Sequence, residues 1–162
     1  MASRYENNEI QKLKDHYIGQ KERIAFLDST NILTADKTIS ESELTVGFEE
    51  IFTRKQRTFI TMFSSNSYRM KNILETAKKS GKKITTIGRS IGAYLSAAEE
   101  AELIDLKDYP ITDFDAVQNY DDPNLVLLVT GSQGEFMGAM RRILNGDQKS
   151  IHLNENDLFV FS

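Results

Sequence analysis

A chain of 162 residues, 40% of them hydrophobic and 27% charged, is sized for one core, since single domains run to roughly 100–200 residues. The absence of cysteine excludes disulfides, thiolate zinc sites and a thiol nucleophile. A net charge of −4 argues against a surface that grips nucleic acid everywhere, though a local basic patch can exist on an acidic protein.

No apolar run approaches the ~18 residues of a membrane span, and the opening MASRYENNEIQKLKD has no signal-like apolar core, so a cytoplasmic protein without membrane contact is expected. Arg23–Leu27 reads as a buried strand leading into Asp28-Ser29-Thr30-Asn31. Glu43 falls at a helix start, where a first-turn carboxylate complements the helix dipole. Thr58–Phe63 reads as a second strand, turning through Ser64-Ser65-Asn66. Met70, Ile73, Leu74 and Ala77 then share one face at helical spacing. That helix stops at Ser80-Gly81, with Lys78 and Lys79 suited to its last carbonyls.

Ile84–Ile87 is the third strand, followed by Gly88-Arg89-Ser90 and a helix reaching to about Ile104. Residues 105–124 hold both prolines and many Asp and Asn, and read as a connection with room for a short strand near Val117. Leu125–Val129 is the clearest buried strand. It runs into Thr130-Gly131-Ser132-Gln133-Gly134 and a helix carrying Phe136, Met137, Met140, Ile143 and Leu144, ended by Asn145-Gly146. Leu158–Phe161 is a last strand. Continuous apolar strands alternating with helices predict an α/β fold, a parallel sheet in three layers with helices on both faces. Right-handed crossovers put every strand-to-helix loop at one edge.

Ligands of such sheets bind outside the carboxyl ends of the strands. Three loops there offer hydroxyls and amides at helix N-termini, where an anion is favoured: Ser64-Ser65-Asn66, Gly88-Arg89-Ser90 and Gly131-Ser132-Gln133-Gly134. Arg69 and Arg89 add guanidinium groups that contact phosphate bidentately. Several phosphate-sized sites along one edge suit a polynucleotide backbone better than one small ligand. The same residue types are ordinary caps and turn formers, and capping alone accounts for any single loop. Gly131 and Gly134 do not make the dinucleotide fingerprint, and no Walker A motif occurs. Lys78-Lys79-Ser80-Gly81-Lys82-Lys83 reads as a solvated helix end. Asp28 after a strand is equally a metal ligand or a cap, and the helix dipole alone accounts for Glu43. His16 and His152, the only histidines, read as surface residues.

Five stretches in order carry a resemblance. Phe26-Leu27-Asp28-Ser29-Thr30-Asn31 is similar to the Asp-Ser-Thr-Asn element of metallo-β-lactamase nucleases. Ser42-Glu43-Leu44-Thr45-Val46-Gly47 is similar to the stretch bearing the first β-CASP motif. Phe63-Ser64-Ser65-Asn66 with Arg69, then Gly88-Arg89-Ser90, resemble pieces usually written Phe-Ala-Ser-Asn and Val-Gly-Arg-Ser. Thr130-Gly131-Ser132-Gln133-Gly134-Glu135 is the most specific. Together they resemble the β-CASP domain of ribonuclease J-type nucleases of the metallo-β-lactamase superfamily, from about Ile24 onward. Phe48, Tyr68 and Phe136 depart from a frequent Glu, His and Pro of that pattern.

The resemblance implies a β-CASP domain over residues 32–162, with 1–31 the edge of a metallo-β-lactamase domain. It implies a fragment of a longer enzyme that hydrolyses RNA with 5′→3′ exonuclease and often endonuclease activity, using two zinc ions. Asp28 would bridge the metals, Glu43 would orient a ligand or catalytic histidine, and the three loops would line an RNA channel. The family's His-x-His-x-Asp-His cluster is absent from this sequence, so the chain alone is expected to bind no zinc and to be inert. Expected partners are RNA, the remainder of the metallo-β-lactamase domain, and a homo-oligomer or RNA-decay assembly. Two other classes remain open: a stand-alone α/β module binding a nucleotide or phosphorylated metabolite, and an interaction platform. Asp28 and Glu43 have no joint purpose in the stand-alone module.

Overall fold

The apolar run Leu125–Val129 forms a strand buried at every residue, and the sheet is assembled around it. The computed structural model describes residues 11–12, 14–19, 41–131 and 138–162. In chain order these form α1 (Glu41–Thr53), β1 (Thr58–Thr61), α2 (Ser67–Lys79), β2 (Lys83–Ile87), α3 (Arg89–Glu100), β3 (Leu125–Val129), α4 (Ala139–Leu144) and β4 (Leu158–Phe161). The chain divides into two units, Met1–Leu44 and Thr45–Ser162. Of the first, residues 11–12 and 14–17 are helical. The expected strand at Arg23–Leu27 and Asp28 itself lie outside the described residues.

The four strands are ordered β2-β3-β1-β4 and every pair is parallel. Ile87 and Thr61 both pair with Val129, so three strands end side by side. Side chains alternate between the two faces of the sheet. Phe59, Ile87, Leu125, Leu127 and Val129 share one face and form a core with Ala139, Met140 and Ile143 of α4 and with Ile151. Ile60, Ile84, Val126 and Leu128 face the other way and are fully buried. Right-handed crossovers put α2 there with Met70, Ile73, Leu74 and Ala77, and α3 with Ile91, Leu95 and Ala98. Each buried Val, Leu, Ile, Phe or Met side chain among them contributes roughly 1.5–3 kcal/mol. The parallel α/β sheet expected from the sequence is therefore the observed one. Among the described residues, no helix is long and apolar enough to cross a membrane.

Several boundaries differ from expectation. β1 ends at Thr61, and Phe63 is already half exposed. α3 ends at Glu100 rather than near Ile104. Glu102 takes φ 56°, and the Leu103 N–H bonds back to the Ala98 carbonyl at 2.9 Å. Ile104 is thus buried from beyond the helix, so its apolar character prolongs the periodic pattern without prolonging the helix. No strand forms at Val117, which follows a 3₁₀ turn at Phe114–Ala116 and packs on the core. The extra pairing is a parallel bridge from Ile84 to Ile111, in which the Pro110 carbonyl accepts the Ile84 N–H at 2.9 Å.

The basic segment 78–83 is not solvated throughout. α2 does stop at Ser80-Gly81, with Gly81 at φ 66°. Lys82, however, is only 2% exposed, because the chain turns under the sheet to enter β2. Phe136 and Met137 lie outside the described residues.

Candidate functional site at the carboxyl edge of the sheet

Because β1, β2 and β3 end in register, the loops after them meet. The first is a turn closed by the Asn66 N–H on the Phe63 carbonyl at 2.9 Å. Asn66 caps α2, its side-chain oxygen accepting the Arg69 N–H at 3.0 Å. This is the capping role that the residue type suggests. Ser64 Oγ donates to Ser90 Oγ at 3.0 Å, tying the loop after β1 to the loop after β2. Since β3 lies between those two strands, the bridge spans the end of β3. Ser65 is exposed. Arg69 is half-buried in the first turn of α2 and is engaged within the chain.

Gly88 caps α3 at φ 125° and ψ 131°, a conformation essentially reserved for glycine. A Cβ there would stand 2.4 Å from Thr130 Oγ1 and 2.5 Å from its Cγ2. Thr130 continues the ladder past β3, donating its N–H to the Ile87 carbonyl at 3.1 Å. Its own carbonyl accepts the Met140 N–H at 3.0 Å, so the chain leaving β3 is pinned to the start of α4. Gly131, at φ 109°, is needed for the same close approach, since a Cβ would lie 3.3 Å from Gly138 Cα. Ser132, Gln133 and Gly134, between these pinned ends, lie outside the described residues.

A cleft of about 560 Å³ opens beside the ends of β2 and β3, lined among the described residues by Gly88, Arg89, Ser90, Thr130, Ala139 and Arg142. Arg89 and Arg142 are exposed at the surface, and no carboxylate is among these lining residues. Such a cleft offers two guanidinium groups, a serine hydroxyl and the first turn of α3 to an anion. Sequence reading missed Arg142. Its signal was present, since Ala139, Met140 and Ile143 turn inward and leave Arg141 and Arg142 on the outer side of the same short helix.

Glu43 is exposed in the first turn of α1, beside Glu41, as the dipole reading expects. Asp28 is outside the described residues. Among the described residues, no three of His, Asp and Glu are grouped so that they could hold a metal ion. The described residues do not make up the ligand set of a two-metal centre. His16 and His152 are exposed.

A second unanticipated feature lies at the opposite edge. Arg57 is 3% exposed and grips Asp157 with both arms, Nε to Oδ1 at 2.7 Å and Nη2 to Oδ2 at 2.5 Å. It also donates to the Tyr120 and His152 carbonyls and to Asp121. Its guanidinium lies 5.2 Å from the centre of the Phe59 ring. Lone cations before a strand carry no sequence signal of burial, because the partners come from 63 to 100 residues away.

The fold and the cleft define an α/β domain whose strand-to-helix loops present an anion-sized, cation-lined site. Residues 55–162 match the model of the ribonuclease J β-CASP domain, and the chain belongs to that family. It is 32% identical over 156 residues to ribonuclease J of Synechocystis sp., covering 95% of this chain and 24% of that protein. It is 32% identical over 148 residues to ribonuclease J of Helicobacter pylori, covering 91% and 22%. To ribonuclease J2 of Bacillus subtilis it is 26% identical over 147 residues, covering 90% and 26%. The chain spans about a quarter of the length of the curated relatives it matches.

Proposed function

We propose that this chain is the RNA-facing β-CASP part of a metal-dependent, ribonuclease J-like RNA hydrolase. The observation that carries the reading is the carboxyl-edge cleft, where Arg89, Ser90 and Arg142 stand beside the ends of β2 and β3. Phosphate contacts of this kind position a strand without reading its bases. Ser64, Ser65, Asn66, Arg69 and Gly88 would shape the same wall, with Gly131, Ser132, Gln133 and Gly134 continuing its rim. Asp28 would serve as a metal-bridging ligand and Glu43 would orient a neighbouring ligand or catalytic histidine, both completed by residues this sequence does not supply. On this reading residues 1–31 belong to the edge of the metallo-β-lactamase domain and 32–162 to the β-CASP domain. Zinc as the metal, 5′→3′ exonuclease with endonuclease activity, a cytoplasmic setting and assembly with other chains belong to the same proposal.

The test is a titration of labelled single-stranded RNA at two salt concentrations. Weak, salt-dependent binding is expected, reduced by Arg89→Ala to a similar extent on unrelated sequences. Unchanged binding by Arg89→Ala would remove the cleft from the reading. One observation favours the second reading, a module for a nucleotide or phosphorylated metabolite: the cleft lies within the 300–1,000 Å³ typical of small-molecule sites. Nucleoside monophosphates that bind more tightly than RNA, and displace it from the wild-type chain, would select that reading.

A further inference from the structure

The amino edge of the sheet carries a second cationic pocket that the function above does not use. Arg54 and Lys55 precede β1, Lys82 precedes β2 and Asn124 precedes β3, so three parallel strands begin around it. With Phe52, Thr53 and Ser80 these residues line a cleft of about 300 Å³. Strands of four and five residues at ~3.3 Å per residue separate it from the carboxyl edge by roughly 13–16 Å. The two clefts therefore cannot be filled by one phosphate.

Lys82 is the unusual member. Its ammonium donates to the Arg54 carbonyl at 2.7 Å and the Pro123 carbonyl at 3.1 Å, which uses two of its three protons. It forms no ion pair among the described residues, and the carboxylate of Asp122 is held by Lys83 at 2.8 Å. Burial holds the Lys82 ammonium below the ordinary lysine range, with Asp122 acting in the opposite sense. A buried charge without a paired countercharge is costly. The neighbouring cations do not relieve it. Arg54 reaches Glu50 only at 3.8 Å on an exposed surface, and Lys55 has no ion pair among the described residues.

We propose that this pocket binds a phosphoryl group, which places an anion among Lys82, Arg54 and Lys55 and accepts hydrogen bonds from Ser80 and Asn124. A phosphate of an RNA strand and a free polyphosphate share this chemistry, and either source fills the pocket in the same way.

The experiment follows backbone amide resonances of the ¹⁵N-labelled full chain during titration with inorganic tripolyphosphate and, separately, with a short single-stranded RNA. Saturable shifts at Ser80, Gly81 and Asn124 are expected with tripolyphosphate, weakening about tenfold or more in Lys55→Glu. The same shifts with RNA make its backbone the source, and shifts with tripolyphosphate alone make the source a small phosphate compound. Lys82→Met should abolish the response. If that variant does not fold, the exposed Arg54→Glu and Lys55→Glu variants carry the test. Ligand-induced shifts confined to Gly88 and Ser90, or shifts at Ser80 and Asn124 that persist in Lys55→Glu, overturn the proposal.

Discussion

Ser64 Oγ and Ser90 Oγ lie 3.0 Å apart, although their strands are separated by β3 in the sheet. One hydrogen bond thus closes two loops over the end of a third strand and joins them along the cation-lined edge.

Arg142 is expected to act with Arg89 on that surface. Arg142→Ala should weaken RNA binding across sequences and lower the salt-dependence slope by about one phosphate contact. Anisotropy titrations over a range of salt measure this directly. A full wild-type slope in the variant would place Arg142 outside the interface.

Gly88→Ala should destabilise the chain by about 2–5 kcal/mol, combining a glycine-only backbone conformation with overpacking against Thr130. Urea denaturation gives the value. Adding Thr130→Gly should recover only the packing part, since the φ of 125° remains. Full recovery in the double variant would show that the backbone conformation costs nothing.

Removing one partner of the buried Arg57–Asp157 pair leaves the other charged and unpaired. Arg57→Ala is expected to cost about 3–5 kcal/mol, whereas Arg54→Ala, which loses only the exposed contact to Glu50, should cost about 0–1 kcal/mol. Similar midpoints for the two variants in thermal or urea unfolding would contradict this ranking.

The Lys83 hydrogen bond, joined by the Asn124 N–H, holds the Asp122 carboxyl below its ordinary range. A depressed carboxyl pKa means that the unfolded chain binds the proton more readily, so this contribution is present above about pH 4 and lost as pH falls through the folded value. Stability measured against pH should fall less steeply on the acid side in Asp122→Asn than in the wild type. Parallel curves would dismiss Asp122 as a contributor.

The isolated chain is expected not to hydrolyse RNA with Zn²⁺, Mn²⁺ or Mg²⁺, since a zinc centre takes three or four clustered ligands and the sequence holds two histidines and no cysteine. Metal-dependent cleavage by the purified chain, abolished in Asp28→Ala, would mean that the ligand set was misread.

Local pattern was enough for the four strands of the described sheet, the end of β1 apart, and for the edge they present. Leu125–Val129 is apolar at every position, and Met70, Ile73, Leu74 and Ala77 repeat at helical spacing, so burial and secondary structure coincide along the chain. The loop residues Ser64, Gly88 and Thr130 follow from the rule that parallel strands put their outgoing loops at one edge. Tertiary structure decided what depends on distant partners. Ile104 and Val117 are apolar because they pack against the core, not because they extend a helix or pair in a strand. Lys82 reads as a solvated cation, and Arg57 carries no signal of burial, until Arg54, Pro123, Tyr120 and Asp157 arrive from other segments. The same holds for Arg142, whose place in the cleft depends on α4 being pinned to Thr130. Periodicity records which residues avoid water, but a charge becomes buried or joins a site only when the fold brings its partners to it.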